Sequence, residues 1–311
     1  MQSIQSSHTD LQARPLAVVL LGILAVSTAS IFIRQAQETV PSLVVAAYRL
    51  GLATLLLLPF AYGKRREILA FTGKQWLLGL GAGTILAMHF ASWITSLEYT
   101  SIASSVVLVT TTPLWVALFS PIFLKEQVGR AAMLGLGVAL LGGVIVGMSQ
   151  ACHLGSQGLT CSGFQGFWSG RAAFGNLLAL IGAWMAAGYM MIGRRLRPGL
   201  SLVSYVFVVY GVAAVVLLGL TGLSRLPLTG YPPQTYLWLA ALAVVPQLIG
   251  HSSLNWALRY LPASFVSVSL LGEPIGSVIL AYLFLAEQPT GLELAGGVLI
   301  LAGIFLASRS R

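Results

Sequence analysis

Two segments of this chain decide its fold: residues 97–127 are LEYTSIASSVVLVTTTPLWVALFSPIFLKEQ, and residues 258–288 are LRYLPASFVSVSLLGEPIGSVILAYLFLAEQ. They align without a gap when the chain is shifted by 161 residues against itself. The same amino acid occurs 161 positions later at Leu97, Tyr99, Val107, Pro113, Phe123, Leu124, Glu126 and Gln127. Beyond the two segments the same holds for Gly135, Leu140 and Gly142. Apolar composition alone would not align Tyr, Pro, Glu, Gln and Gly in one register, so we predict an internal repeat.

The composition around these segments is that of a membrane protein. Of the 311 residues, 57% are apolar and 8% are charged, and the mean hydropathy is +0.88. This excludes a water-soluble globule and a disordered chain. A bilayer core about 30 Å thick requires about 20 apolar residues per helix. Ten such stretches are predicted, at about 15–34, 41–62, 75–97, 102–123, 129–149, 172–193, 201–223, 235–257, 263–285 and 290–308.

The basic residues predict the orientation of these spans. With the N-terminus in the cytoplasm, the inner loops and ends carry 13 Lys and Arg, the outer side carries three, and Arg49 lies within a span. Cytoplasmic loops of membrane proteins carry this excess. We therefore predict an inner (plasma) membrane protein with an even number of spans and both termini cytoplasmic.

The repeat and the span count together predict an inverted architecture. Each half, 1–149 and 172–311, contains five spans, and the outer loop 150–171 joins them. An odd number of spans reverses the chain direction, so the second half must be inserted upside down relative to the first. The predicted fold is an all-α integral membrane protein of ten transmembrane helices in two inverted five-helix repeats, which is an architecture typical of secondary transporters.

The segment NWALRYLPASFVSVSLLGEPIGSVILAYLFLAEQPTGLELAGGVLILAGIFLA (255–307) resembles the second repeat of the EamA-type drug/metabolite transporters. The first half repeats this pattern with SLEYTSIASS, Thr112-Pro113 and LKEQ. It departs from the family pattern in two ways: Thr112 stands where the second half has Glu273, and LKEQ and LAEQ replace the commoner LGE helix ends. The overall plan is similar to that of bacterial aromatic amino acid exporters. This resemblance implies ten helices, cytoplasmic termini and export of small metabolites.

Two ionisable residues are predicted at membrane depth, where a charge is costly. Glu273 lies near the middle of the ninth span, before Pro274. It could be a proton or substrate-amine site, or a buried carboxyl satisfied by hydroxyls or by Arg49. Arg49, in the second span, could extend outward, form an ion pair with a carboxylate such as Glu273, or hold a substrate carboxylate.

The eighth span carries the clearest polar stripe. Gln247, His251 and Asn255 recur every four residues, which places them on one face of an α-helix. Polar residues on one face of a lipid-embedded helix are expected to face the bundle interior. We therefore predict that these three residues contribute to substrate binding, with packing as the alternative.

Further substrate contacts are predicted on the third and sixth spans. The third span carries His89, Ser92 and Trp93, and the sixth carries Trp184. The aromatic rings could stack on an aromatic or apolar substrate, or could serve packing and the membrane interface.

The two cysteines, Cys152 and Cys161, both lie in the outer loop. An oxidising outer face would permit a disulfide there, and free thiols are the alternative.

Several function classes are disfavoured because their motifs are missing. The sequence has no Walker-type phosphate loop, no metal-ligand spacing and no K⁺-channel filter, and its few acids offer little for catalysis. We therefore predict a transporter of small molecules that is not an enzyme and uses no cofactor, metal or nucleic acid. Its expected partners are a solute and membrane lipid, as a monomer or homodimer. Amino acids, aromatic ones included, are the favoured solute, and nucleosides, sugars or drug-like amphiphiles are the alternative solutes.

The alternative function classes are an integral membrane enzyme and a passive channel.

Overall fold

The computed structural model describes residues 17–123, 129–149, 152–155, 158–161, 170–257, 259–260, 269–270 and 272–308. Within these ranges, ten helical segments follow the ten predicted spans. Six are long and apolar enough to cross a membrane, and the other four are shorter apolar helices within the described residues. The helices are α1 (Ala17–Gln37), α2 (Ser42–Gly63), α3 (Gly73–Tyr99), α4 (Ile102–Val109 and Thr112–Phe123), α5 (Arg130–Met148), α6 (Arg171–Leu196), α7 (Leu202–Leu223), α8 (Pro233–Ala257), α9 (Gly272–Leu285) and α10 (Gly291–Ser308).

Local capping explains where several helices begin. Thr72 and Gln75 form a capping box at the start of α3, in which each side chain bonds the other residue's backbone N–H. Ser101 and Ser201 precede α4 and α7 and accept the backbone N–H three residues later, at 3.0 and 3.3 Å. Pro41 and Pro232 precede α2 and α8, where the missing N–H has no cost.

Two helices are interrupted near their middle. The first part of α4 ends at Val109, and the helix resumes at Thr112, immediately before Pro113. In α8, residues Ala243–His251 form a π-helix around Pro246, which cannot donate a backbone hydrogen bond. Such breaks leave backbone groups and side chains at membrane depth, where they are tolerated only inside the protein.

The packing of α5 against α10 shows that the repeats are inverted. A Cβ added to Gly142 would lie 2.6 Å from the carbonyl oxygen of Gly296, and one added to Gly303 would lie 2.6 Å from that of Gly135. Gly142 of α5 therefore lies beside Gly296 of α10, and Gly135 lies beside Gly303. Residue numbers fall along α5 as they rise along α10, so the two helices are antiparallel. The 161-residue shift exchanges these two contacts, because 135 + 161 = 296 and 142 + 161 = 303. Equivalent helices of the two repeats thus run in opposite directions about a pseudo-two-fold axis.

The loop before α6 contains a small hairpin that the sequence analysis did not predict. Strands β1 (Cys152–Gly155) and β2 (Gly158–Cys161) are antiparallel, and Cys152 lies opposite Cys161 in their register. Cys152 is disulfide-bonded, and Cys161 is the only other cysteine in the chain. We call the side of the molecule that carries this hairpin and the N-terminal end of α6 the hairpin face.

The opposite side carries the basic loops, and we call it the basic face. It includes Lys64, Arg65 and Arg66 after α2, and the end of α6. Arg197 Nε donates to the carbonyl oxygen of Asn255 at 3.2 Å, which joins the end of α6 to the end of α8. Glu67 Oε1, just after Arg66, accepts the backbone N–H of Ser201 at 2.6 Å, which joins the segment after α2 to the start of α7 on the same side.

Candidate functional site

A cavity of about 90 Å³ lies between the two repeats. Its walls come from α1, α3, α4, α6, α8 and α9. Three pairs of residues that the 161-residue shift relates line it together: Trp93 with Leu254, Val109 with Leu270, and Thr112 with Glu273. The cavity therefore lies on the pseudo-two-fold axis, where both halves contribute equivalent positions.

His89 and Trp93 form the α3 wall of the cavity. Their rings are stacked, with centroids 5.9 Å apart and an interplanar angle of 14°. His89 Nδ1 donates to the carbonyl oxygen of Gly182 at 2.8 Å, which leaves Nε2 available to a ligand. Gly182 allows this close approach of α6, because a Cβ there would lie 3.2 Å from the Cβ of Trp93. Both residues were predicted to contact substrate, and both line the cavity.

Tyr189 and Asn255 close the side of the cavity between α6 and α8. The Tyr189 hydroxyl donates to Asn255 Oδ1 at 3.1 Å, and Asn255 Nδ2 donates to the carbonyl oxygen of His251 at 2.9 Å. All three residues line the cavity. The hydrogen bonds fix the amide, so the cavity presents a defined polar edge on this side.

Glu273 lines the cavity where α9 begins, opposite the break in α4. Its position is held by α1, because Ser277 Oγ donates to the carbonyl oxygen of Ser27 at 3.1 Å. Thr112, its repeat equivalent, has its hydroxyl bonded to the carbonyl oxygen of Val109 at 2.8 Å. Helices α4 and α9 thus place a hydroxyl from one half and a carboxyl from the other in one cavity.

Arg49 is fully buried, with 0% of its surface exposed, but it does not pair with Glu273. Its Nε donates to Gln247 Oε1 at 2.7 Å, and its guanidinium carbon lies 4.1 Å from the ring centroid of Phe90. Among the described residues, the ion pair within 4.0 Å joins Arg34 and Glu287 instead. The ion pair considered between Arg49 and Glu273 is therefore not formed in this conformation, because α8 supplies a nearer acceptor.

Three residues predicted to bind substrate, Ser92, Gln247 and Trp184, lie outside this cavity. The Ser92 hydroxyl donates to the carbonyl oxygens of Met88 and His89, so it is bound to its own helix. Gln247 is engaged by Arg49 behind the cavity wall, although His251 and Asn255 line it. The stripe was predicted for an α-helix, whereas residues 243–251 form a π-helix, and Gln247 there bonds to Arg49 on α2 instead of lining the cavity.

Trp184 lies in a second cavity of about 470 Å³ between α4, α5 and α6. Its ring packs edge-to-face on Trp115, with centroids 5.2 Å apart. Side chains with half of their surface exposed, including Leu140 and Phe174, line the same space. Trp184 therefore faces an apolar groove at the side of the molecule and not the cavity on the pseudo-two-fold axis.

Among the polar residues that line the cavity, the predicted set omitted Thr110, Thr112 and Tyr189. The repeat register could have identified Thr112, because it is equivalent to Glu273. Tyr189 follows Trp184 by five residues, which places the two rings on different sides of one helix. Within the described residues, no group of three or more His, Cys, Asp or Glu side chains could hold a metal ion.

On the hairpin face, acidic residues of the α9–α10 connection hold the start of α4. Glu287 Oε2 lies 3.5 Å from Arg34 Nη2, and Glu287 Oε1 accepts the backbone N–H of Ile102 at 2.5 Å. Glu293 accepts the hydroxyl of Ser104 at 2.6 Å. Glu126, the repeat equivalent of Glu287, lies outside the described residues. These bonds join the two repeats on the hairpin side of the cavity.

Comparisons with known proteins give the family of this chain. Residues 14–148 and 173–309 each match the profile of the EamA-like transporter family. An uncharacterized transporter of Archaeoglobus fulgidus is 23% identical over 285 residues, covering 89% of this chain and 91% of that protein. The pseudopaline exporter CntI of Pseudomonas aeruginosa is 25% identical over 298 residues, covering 94% and 96%. A protein of known crystal structure has the same fold, with a TM-score of 0.63, 18% identity, and coverage of 95% and 96%.

Proposed function

The chain belongs to the EamA-like transporter family, and we propose that it is a secondary transporter that exports small amphipathic solutes, amino acids first among them. The relatives with transporter names support a multi-pass membrane protein that moves small molecules. The proposal adds the solute class, the direction and the mechanism.

One observation carries this proposal: the cavity lies on the axis that relates the two inverted halves. Its lining is assembled from repeat-equivalent positions such as Thr112 and Glu273. A site on such an axis can be exposed to either face when one half rocks against the other. The cavity is small in this conformation, about 90 Å³ against the roughly 300–1,000 Å³ of typical ligand pockets, so movement of the halves must also widen it for a solute.

The chemistry of the lining favours amino acids among small solutes. Glu273 is an acidic group suited to an ammonium, or to a proton exchanged for the solute. Trp93, Leu86 and Val26 offer an apolar surface for a side chain, and Tyr189 and His89 offer hydrogen-bonding groups. Nucleosides, sugars and drug-like amphiphiles are the alternative solutes, and they belong in the same assay.

The orientation proposed for the protein is that of an exporter in the plasma membrane. The basic face would lie in the cytoplasm with both termini, and the hairpin with its disulfide would lie outside. In this arrangement the Arg34–Glu287 pair would lie on the outer side, where it joins α1 to the α9–α10 connection.

Reconstitution tests the proposal directly. Purified protein in liposomes should move labelled amino acids with saturation and counterflow, which distinguish a carrier from a channel. Glu273→Gln should abolish the dependence of transport on a pH gradient, and Glu38→Gln, on an exposed surface, should leave it unchanged. Absence of transport across a panel of amino acids, nucleosides, sugars and amphiphiles would refute the proposed function.

A further inference from the structure

Four buried nitrogen atoms beside the cavity have no acceptor within hydrogen-bond distance among the described residues. They are Nη1 and Nη2 of Arg49, Nε2 of Gln247, and Nε1 of Trp93. Arg49 and Gln247 are 0% exposed, and Trp93 is 3% exposed. A buried donor without a partner is costly, and each of these lies in the same cluster.

The cluster is held together by contacts across three helices. Arg49 on α2 donates through Nε to Gln247 on α8, and its guanidinium carbon lies 4.1 Å from the Phe90 centroid and 5.7 Å from the Trp93 centroid on α3. These contacts fix the plane of the guanidinium and leave both of its terminal nitrogens free to donate. The aromatic rings stabilise the cation but provide no hydrogen-bond acceptor.

The unpartnered atoms of the cluster are all hydrogen-bond donors. Every unpartnered atom carries N–H, so a group bound among them must supply acceptors. The positive charge of Arg49 has no carboxylate within 4.0 Å in the described part of the chain, so the bound group should be an anion. The two terminal nitrogens of a guanidinium match the two oxygens of a carboxylate.

The cluster adjoins the cavity through shared residues. Trp93 belongs to the cluster and also lines the cavity. His251 lines the cavity, and its ring packs edge-to-face on Phe90 with centroids 5.6 Å apart. The cluster adjoins the cavity without being part of its lining, so a solute reaches Arg49 when the side chains of Trp93 and His251 move aside.

We propose that Arg49, Gln247 and Trp93 form the carboxylate subsite of the transported solute. The inference rests on the proposed function and narrows it, because the solute must then carry an acid group. Glu273 lies on a different part of the lining, so an amino acid could direct its carboxylate to Arg49 and its ammonium to Glu273.

Matched pairs of compounds test the subsite. Each acid is compared with its primary amide, for example L-phenylalanine with L-phenylalaninamide and 3-phenylpropionate with 3-phenylpropanamide, by thermal stabilisation of the purified full-length protein. Wild type should bind the acids more tightly than the amides. In Arg49→Gln the advantage of the acid should fall by about tenfold or more, as expected for a charged hydrogen bond.

Two further variants keep the test interpretable. Trp93→Phe keeps an aromatic ring and removes one donor, so it should weaken acids severalfold more than their amides, even if Arg49→Gln does not fold. Thr84→Val, on the exposed side of α3, should change neither. Equal binding of acids and amides by wild type, or an acid preference that survives both variants, would overturn the subsite while transport persists. Absence of any binding or transport would instead refute the proposed function, and the subsite with it.

Discussion

Arg49 Nε donates to Gln247 Oε1 at 2.7 Å, and this bond joins α2 of the first repeat to α8 of the second. Both side chains are fully buried, so the guanidinium depends on this acceptor and on the rings of Phe90 and Trp93. Gln247 lies in the π-helical turn around Pro246 and, unlike His251 in the same turn, does not line the cavity. The bond therefore sets the position of the only span-embedded arginine predicted from the sequence.

Gln247→Leu should destabilise the protein, because it removes the acceptor from a buried cation. The expected loss is about 1.5–3 kcal/mol, the usual range for a hydrogen bond to a charged group. Thermal unfolding of the purified protein measures it as a fall in Tm. Gln234→Leu is the matched control, since Gln234 is exposed on the same helix. Equal Tm values for the two variants would contradict the role assigned to Gln247.

Gly142→Ala should also destabilise the protein, through the crossing of α5 and α10. The new Cβ would lie 2.6 Å from the Gly296 carbonyl oxygen and 2.8 Å from the backbone nitrogen of Ile300, so the helices must separate. Overpacking of this kind costs about 1–3 kcal/mol. Gly137→Ala on the same helix meets nothing within 4 Å and should be neutral or slightly stabilising. A Tm for Gly142→Ala equal to that of Gly137→Ala would disprove the close crossing.

Glu287→Gln should favour opening of the hairpin face. It removes the charge that pairs with Arg34 at 3.5 Å and weakens the bond to the Ile102 backbone N–H. A change of about 1 kcal/mol would raise the open population about fivefold. A cysteine introduced in the cavity, Thr110→Cys, reports this opening as a faster reaction with a membrane-impermeant thiol reagent added outside.

The native cysteines do not interfere with that assay without reductant, because Cys152 is disulfide-bonded and the chain has only Cys161 besides. Glu38→Gln, on an exposed surface, serves as the control. An unchanged labelling rate in Glu287→Gln would exclude this network as a closure of the outer side.

The sequence predicted the helices and the central cavity better than the individual contacts. Ten apolar runs were enough to locate the helices, and the 161-residue register related Thr112 to Glu273 before either was placed in the cavity. The partner of Arg49 lies 198 residues away in sequence, in a π-helical turn, and helical periodicity does not indicate which residues of distant helices meet. Trp184 shows the same limit, because apolar periodicity does not indicate which of two cavities a tryptophan faces.

Stability should depend on pH through Glu67, in the short helix Arg65–Leu69 on the basic face. Its Oε1 accepts the backbone N–H of Ser201 at 2.6 Å, at the N-terminal end of α7. Partial burial acts to raise the pKa of this carboxyl, but hydrogen bonds from Ser201 and Ser204 outweigh it and hold the pKa below its ordinary value. A carboxylate at a helix N-terminus is also favoured by the helix dipole, by about 0.3–1 kcal/mol.

Because the pKa of Glu67 is lower in the folded state than in the unfolded state, its contribution is present above the unfolded pKa and is lost as pH falls through the folded one. Glu67→Gln keeps an acceptor but removes the charge, so its Tm should be about 1–3 °C below wild type near pH 7. The gap should narrow as pH falls below about 4.3, the reference value for glutamate, and close at still lower pH. The control Glu38→Gln, on an exposed surface, should have the Tm of wild type at every pH. A Tm difference for Glu67→Gln that stays constant over the pH series would show that lost hydrogen-bond geometry, and not lost charge, causes the destabilisation.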